Sequence, residues 1–210
     1  GGGYTVGGLY NVVPSKFGLT DNNITFAKNF GSWTQVYNGV LFNISARASK
    51  GLTFQGGINT GKTVQNICGV RDQLPELTIG FGGSTLGPTN PLCYIDPRFV
   101  TKGTGLATYN VPKIDMLVSG TVRSDQGAPL RATWNAPSAT VINPALGRTV
   151  SGGASTVAVD LVAPGQVWGD RVNEIDMRFA KIVRFGRTRS TIGLDVYNLL
   201  NSNAVLTYNT

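Results

Sequence analysis

The chain contains no histidine. That absence excludes imidazole zinc sites and the Ser–His and Cys–His pairings that activate a nucleophile. Cysteine is nearly missing as well, limited to Cys68 and Cys93, with no C-x-x-C spacing. Charged residues make up 14% of the chain, well below the roughly 25% of an ordinary soluble domain. Long apolar runs are absent too: nothing reaches the ~18 residues of a transmembrane helix. The opening stretch GGGYTVGGLY has neither the basic nor the apolar region of a signal peptide, and no Met. The expectation is a chain that begins partway through a longer protein.

Glycine is abundant at 28 residues, amid plentiful Asn, Thr and Ser. Gly and β-branched residues both weaken helices, so the composition favours many strands and turns. The net charge is +7, but the basic residues are scattered apart from Arg184, Arg187 and Arg189. Such scatter fits solvation, or contact with anionic lipid or substrate, better than a nucleic-acid site, and no nucleic acid is expected. Cys68 and Cys93 share the Gly- and Pro-rich stretch NICGVRDQLPELTIGFGGSTLGPTNPLCY. They could form a redox pair, but nothing nearby lowers either thiol's pKa. A disulfide clamping a long loop is expected instead, which implies an oxidising compartment. It would contribute on the order of 3 kcal/mol.

The dominant pattern is alternation with a period of two. In VYNGVLFNISARA, Val40, Phe42, Ile44, Ala46 and Ala48 share one face, and Leu41, Asn43, Ser45 and Arg47 the other. GLTFQGGINTG continues it, with Phe54 and Ile58 against Gln55 and Asn59, through a turn at Ser49-Lys50-Gly51. A second hairpin turns at Pro112-Lys113, which pairs Val111 with Ile114, Tyr109 with Met116 and Ala107 with Val118. A third, from RVNEIDMRFAKIVRF to STIGLDVYNLL, centres on Arg187-Thr188 and pairs Phe179 with Val196. Both registers keep apolar opposite apolar. Lys181 interrupts the apolar face, by snorkelling to a polar boundary or marking a bulge.

The connections are lopsided. Hairpin turns are short, whereas residues 61–98, the clamped loop, and 124–170, a second loop, are long. A transmembrane β-barrel has this layout, with short turns on one side and long loops on the other, and strands that alternate lipid-facing and lumen-facing residues. A soluble β-sandwich also alternates. Here, however, the polar faces are Asn, Ser, Thr and Gln with isolated charges, and the apolar faces are rich in Gly and Ala, poor filling for a packed core. The expected fold is therefore all-β: one segment over 1–210 of antiparallel hairpins in a barrel wall. Its lumen-facing candidates are Asn43, Arg47, Gln55, Asn59, Asp115, Arg123, Asp176, Arg178, Arg184 and Asp195.

Residues 56–63, GGINTGKT, match the phosphate-cradling pattern G-x-x-x-x-G-K-[ST]. That chemistry needs a buried strand before the motif and a helix after it. LTFQGGI alternates instead, and TVQNICGVRDQLPEL shows no helical stripe. The motif is read as a strand that ends at Gly61, Lys62 and Thr63 where the clamped loop begins, its glycines easing curvature. Glu174, Asp176 and Asp195 could form a paired acid and base, but a network with Arg178 and Arg184 is the preferred reading. Trp33, Trp134 and Trp168 suit an interfacial aromatic girdle better than sugar stacking. No enzyme activity, cofactor or metal is expected.

One run is distinctive. Arg171, Asn173, Asp176, Arg178 and Lys181 are followed by RFGRTR (184–189) and by LDVYNLLNS (194–202). This run resembles the C-terminal part of TonB-dependent receptor-like outer-membrane proteins of the Oar-like group, which often carry an N-terminal carboxypeptidase-regulatory-like domain. VPSKFGLTDNNITFAKNFG, VYNGVLFNISAR and GLTFQGGINTGKT resemble the group too, and the paired loop cysteines fit it. The resemblance implies a Gram-negative outer-membrane barrel of about 22 strands, of which this chain holds roughly seven or eight. It also implies a plug and ligand uptake driven by a TonB-type energy-coupling protein, contacted through a segment absent here. The group's closing strand with its terminal aromatic is also not recognised here, so a fragment is expected. The alternative is a secreted or shed extracellular β-rich protein that self-assembles through open strand edges.

Overall fold

The structure is a computed structural model that describes residues 3, 5–48 and 51–208. In chain order, strands β1 (Thr34–Arg47) and β2 (Leu52–Asn66) form the first hairpin, whose expected turn residues Ser49 and Lys50 lie outside the described residues. Helix α1 (Cys68–Gln73), the small hairpin β3 (Ile79–Phe81) and β4 (Ser84–Leu86), and the short β5 (Tyr94–Ile95) follow. The second hairpin is β6 (Val100–Val111) and β7 (Met116–Asp125). A second outlying unit holds β8 (Thr133–Pro137), α2 (Asn143–Leu146) and β9 (Thr156–Asp160). The third hairpin is β10 (Val172–Phe185) and β11 (Thr188–Val196). The fold is all-β, with antiparallel sheets that do not close into a barrel.

The long strands join in one antiparallel sheet in the order β1-β2-β6-β7-β10-β11, with β5 added beside the end of β2. All three hairpins keep the expected partners, but two registers differ. Val111 pairs with Met116 rather than Ile114, because Pro112 to Asp115 form the turn, with Lys113 and Asp115 at positive φ. Phe179 pairs with Leu194 rather than Val196, because the loop is only Gly186-Arg187, with Gly186 at φ 57°. Each slip is of two residues. An even slip leaves every side chain on its expected face, so the alternation that predicts faces cannot detect it.

One face of this sheet is a continuous apolar band. It runs through Val40, Phe42 and Ile44 of β1 and Ile58, Gly56 and Phe54 of β2, then Gly105, Ala107 and Tyr109 of β6 and Val118, Gly120 and Val122 of β7. Ile175, Met177 and Phe179 of β10 and Ile192 and Leu194 of β11 complete it. Among the described residues no second layer covers it: Phe42 is 63% exposed, Ile58 53% and Leu194 64%. Every residue of β1 is exposed on both faces. Buried apolar residues lie elsewhere, in the segments that leave one end of the sheet. Ile67, Val70, Phe81, Leu86 and Ile95 pack together in the first, and Ala136, Val150 and Val159 are buried in the second. Among the described residues no helix is long and apolar enough to cross a membrane.

The strand holding GGINTGKT does not end at Gly61. It continues to Asn66, pairing Gly61 with Gly39, Lys62 with Asn38 and Thr63 with Tyr37. The motif is extended backbone throughout, so it offers no helix N-terminus to a phosphate. Its glycines are seats for neighbours. A Cβ on Gly61 would stand 2.2 Å from the Tyr37 hydroxyl, and one on Gly57 2.1 Å from the Asn43 side chain. Tyr37 thus lies over the Gly39–Gly61 pair, an aromatic covering strand glycines. Gly61→Val is expected to push that ring away and cost about 1–3 kcal/mol. Urea unfolding of a Tyr37→Ala, Gly61→Val cycle checks this: the double variant should lose less than the sum of the singles.

Candidate functional site

The opposite face of the sheet is polar. Nine of the ten residues predicted for this side lie on it: Asn43 and Arg47 pair with Gly57 and Thr53, and Gln55 and Asn59 with Leu106 and Lys102. Arg123 and Asp176 face Glu174 and Thr121 across β7 and β10, Arg178 faces Asp195, and Arg184 faces Arg189. The tenth, Asp115, sits in the β6–β7 turn rather than on a strand. The three carboxylates considered as an acid–base pair have separate partners. Asp195 lies 3.6 Å from Arg178, the Asp176 carboxylate accepts the Asn198 backbone N–H at 2.8 Å, and Glu174 opposes Arg123. Arg184 reaches none of them; it donates to Asp115 at 3.1 Å. Arg123 also pairs with Asp125.

The polar residues of the distinctive run tie strands together. Arg171 donates to the Ser124 hydroxyl at 2.7 Å and to the Thr101 carbonyl at 2.7 Å, spanning β6, β7 and β10. Asn173 accepts from Ser124 at 2.6 Å. Lys181 stays in register without a bulge and donates to the Ile114 carbonyl in the β6–β7 turn. Asn198 and Asn201 adopt φ 49° and 51°, the left-handed region that Asn tolerates. The chain there turns back on β10 through the Leu199 N–H to the Ile175 carbonyl, 2.7 Å.

The apolar band has a marked upper edge. Next to Ile58 comes Thr60, whose hydroxyl meets that of Thr101 at 2.9 Å. The Ser124–Asn173 pair, in register with Gly103 and Ile58, continues this polar edge one step lower on β7 and β10. Beyond this row lie both outlying units and the N-terminal segment. Cys68 and Cys93 form a disulfide with Cα atoms 4.9 Å apart, fastening α1 to the approach to β5. Arg71 donates to the Gly8 carbonyl at 2.7 Å. Arg148 donates to the Asn11 side chain at 2.8 Å and to the Asn11 and Val12 carbonyls at 3.0 Å each. Trp33 precedes β1, Trp134 is in β8, and Trp168 follows β9, so all three tryptophans belong to this end.

Sequence reasoning missed a cavity of about 560 Å³ where this end meets the polar face. The sheet contributes Tyr37, Asn59, Gln65 and Lys102, and the second outlying unit contributes Arg131 and Trp168. These residues come from separate segments, so no local pattern announces them. No protein-family model, curated protein or solved structure matches this chain.

Proposed function

We propose that the chain is part of the wall of an outer-membrane β-barrel of the TonB-dependent receptor-like kind, a non-enzymatic protein of ligand uptake. The observation that carries this reading is the single-layer sheet with one continuous, uncovered apolar face and a polar face behind it. A soluble monomer rarely exposes more than a few hundred Å² of contiguous apolar surface, whereas a barrel wall presents such a band to lipid. Strands of 14 and 15 residues in β1 and β2 exceed the 9–11 that cross the hydrocarbon. The Thr60–Thr101 and Ser124–Asn173 pairs suit the boundary with lipid headgroups, and Lys181 suits the opposite boundary. On this reading the polar face looks into the lumen, and the clamped end points outward, into an oxidising space. The sequence resemblance supplies the remaining partners: a TonB-type energy-coupling protein and a ligand.

Open edges favour a second reading. Among the described residues, strands β1 and β11 each have one unpaired side, and lipid tolerates no unsatisfied backbone. Further strands must complete the wall, or copies of an extracellular protein must join edge to edge. Flotation of the purified full chain with phosphatidylcholine vesicles, followed by trypsin, separates the two. Insertion should protect β2, β6, β7 and β10 while the outlying units are cut. Chain that stays with the soluble fraction as filaments would overturn the barrel reading.

A further inference from the structure

We infer that the cavity between the polar face and the second outlying unit is a binding site for an organic anion that joins a flat ring to a phosphate or carboxylate group. Its role in uptake rests on the barrel reading; the site itself needs only the fold. At about 560 Å³ the cavity has the size of a small-molecule site. Its lining contains Lys62, Lys102 and Arg131 and no carboxylate. Lys62 is neutralised, since it donates to Asp96 at 2.6 Å and lies over the Phe99 ring. Lys102 and Arg131 make no ion pair among the described residues. Two cations that line one recess without an ion pair attract an anion to it.

The same lining supplies a place for a ring. Trp168 donates its indole N–H to the Gly165 carbonyl at 3.1 Å, which fixes the orientation of the indole. Tyr37 is anchored over Gly39 and Gly61 on the sheet side. Two aromatic side chains held by their own neighbours offer stacking surface with little ordering cost on binding. Asn59 and Gln65 add neutral donors and acceptors between them. A bare inorganic anion would leave the aromatics unused, and a neutral ring would leave Lys102 and Arg131 unanswered. The combination therefore selects a molecule carrying both parts.

The test is calorimetric titration of the full chain in detergent micelles with 1-naphthyl phosphate, with 1-naphthol and inorganic phosphate as the ringed and charged halves. The naphthyl phosphate should bind at least about tenfold more tightly than either half, as loss of a charge-assisted contact implies. Lys102→Gln and Arg131→Gln should each weaken it about tenfold, while Lys28→Gln, far along the N-terminal segment, should leave it unchanged. Equal binding of 1-naphthol, or no effect of either substitution, would overturn the proposal, and the comparison of ligands on the unaltered chain holds even if a variant misfolds. Binding without vesicle insertion would sink the barrel reading and leave the site standing. Insertion without binding would do the opposite.

Discussion

Phe42→Arg should reduce insertion of the chain into lipid by about 30-fold to 1,000-fold, while Asn43→Arg beside it should change insertion little. The two residues are neighbours in β1 on opposite faces of the sheet. The Phe42 ring is already 63% exposed, so replacing it removes little packing within the chain. In a soluble sheet the arginine would simply be hydrated, and stability should hold or rise. Within hydrocarbon, an arginine on the lipid side near the midplane costs about 2–4 kcal/mol, which is the fold-change stated. Asn43 lies against Gly57 on the polar face, where a long cationic side chain has room and water. Vesicle flotation of both variants and the parent gives the answer. Equal flotation of Phe42→Arg and Asn43→Arg would show that the apolar face does not meet lipid.

That pair of positions also shows what the sequence makes legible. Side-chain alternation assigns Phe42 and Asn43 to opposite faces before any coordinates, and the faces agree with the structure along every long strand. Registers are less accessible. The registers set by the Pro112–Asp115 and Gly186-Arg187 turns each differ from expectation by two residues, because positive φ at Lys113, Asp115 and Gly186 decides the loop and alternation is blind to even shifts. The end of β2 was similarly hidden. Lys62 and Thr63 have the polarity of a loop, yet pairing with Asn38 and Tyr37 of β1 keeps them extended. The cavity was the least legible feature, because Lys102, Arg131 and Trp168 meet only once two long connections have folded over the sheet end. Those connections read as loops from their Gly and Pro content, and short-range patterns do not foretell the small clusters around Ile67 and Ala136 that order them.

The first of those connections should depend on its disulfide. Cys68→Ser with Cys93→Ser is expected to speed tryptic cleavage after Arg71 by about 100-fold while leaving the sheet paired. The bridge closes a loop with a sequence separation of 25, and opening such a loop releases on the order of 3 kcal/mol of constrained chain entropy. When opening is fast relative to cleavage, the cut rate follows the population of the open form, which gives the factor stated. Arg71 is a sensitive reporter because it is only 6% exposed and is held by the Gly8 carbonyl and the Tyr10 ring. Its bond is out of a protease's reach until α1 comes away. The remaining restraints on the segment are small: the Ile67 N–H to the Cys93 carbonyl at 3.0 Å, the β2–β5 pairing at Gln65 and Asn66, and the cluster of Ile67, Val70, Phe81, Leu86 and Ile95. The ladders β1–β2, β2–β6 and β6–β7 do not pass through the clamped segment, so far-ultraviolet dichroism should change little. Rapid cleavage accompanied by loss of strand signal would show that the clamp supports the whole wall, and an unchanged cleavage rate would show that the small apolar cluster holds the segment without it.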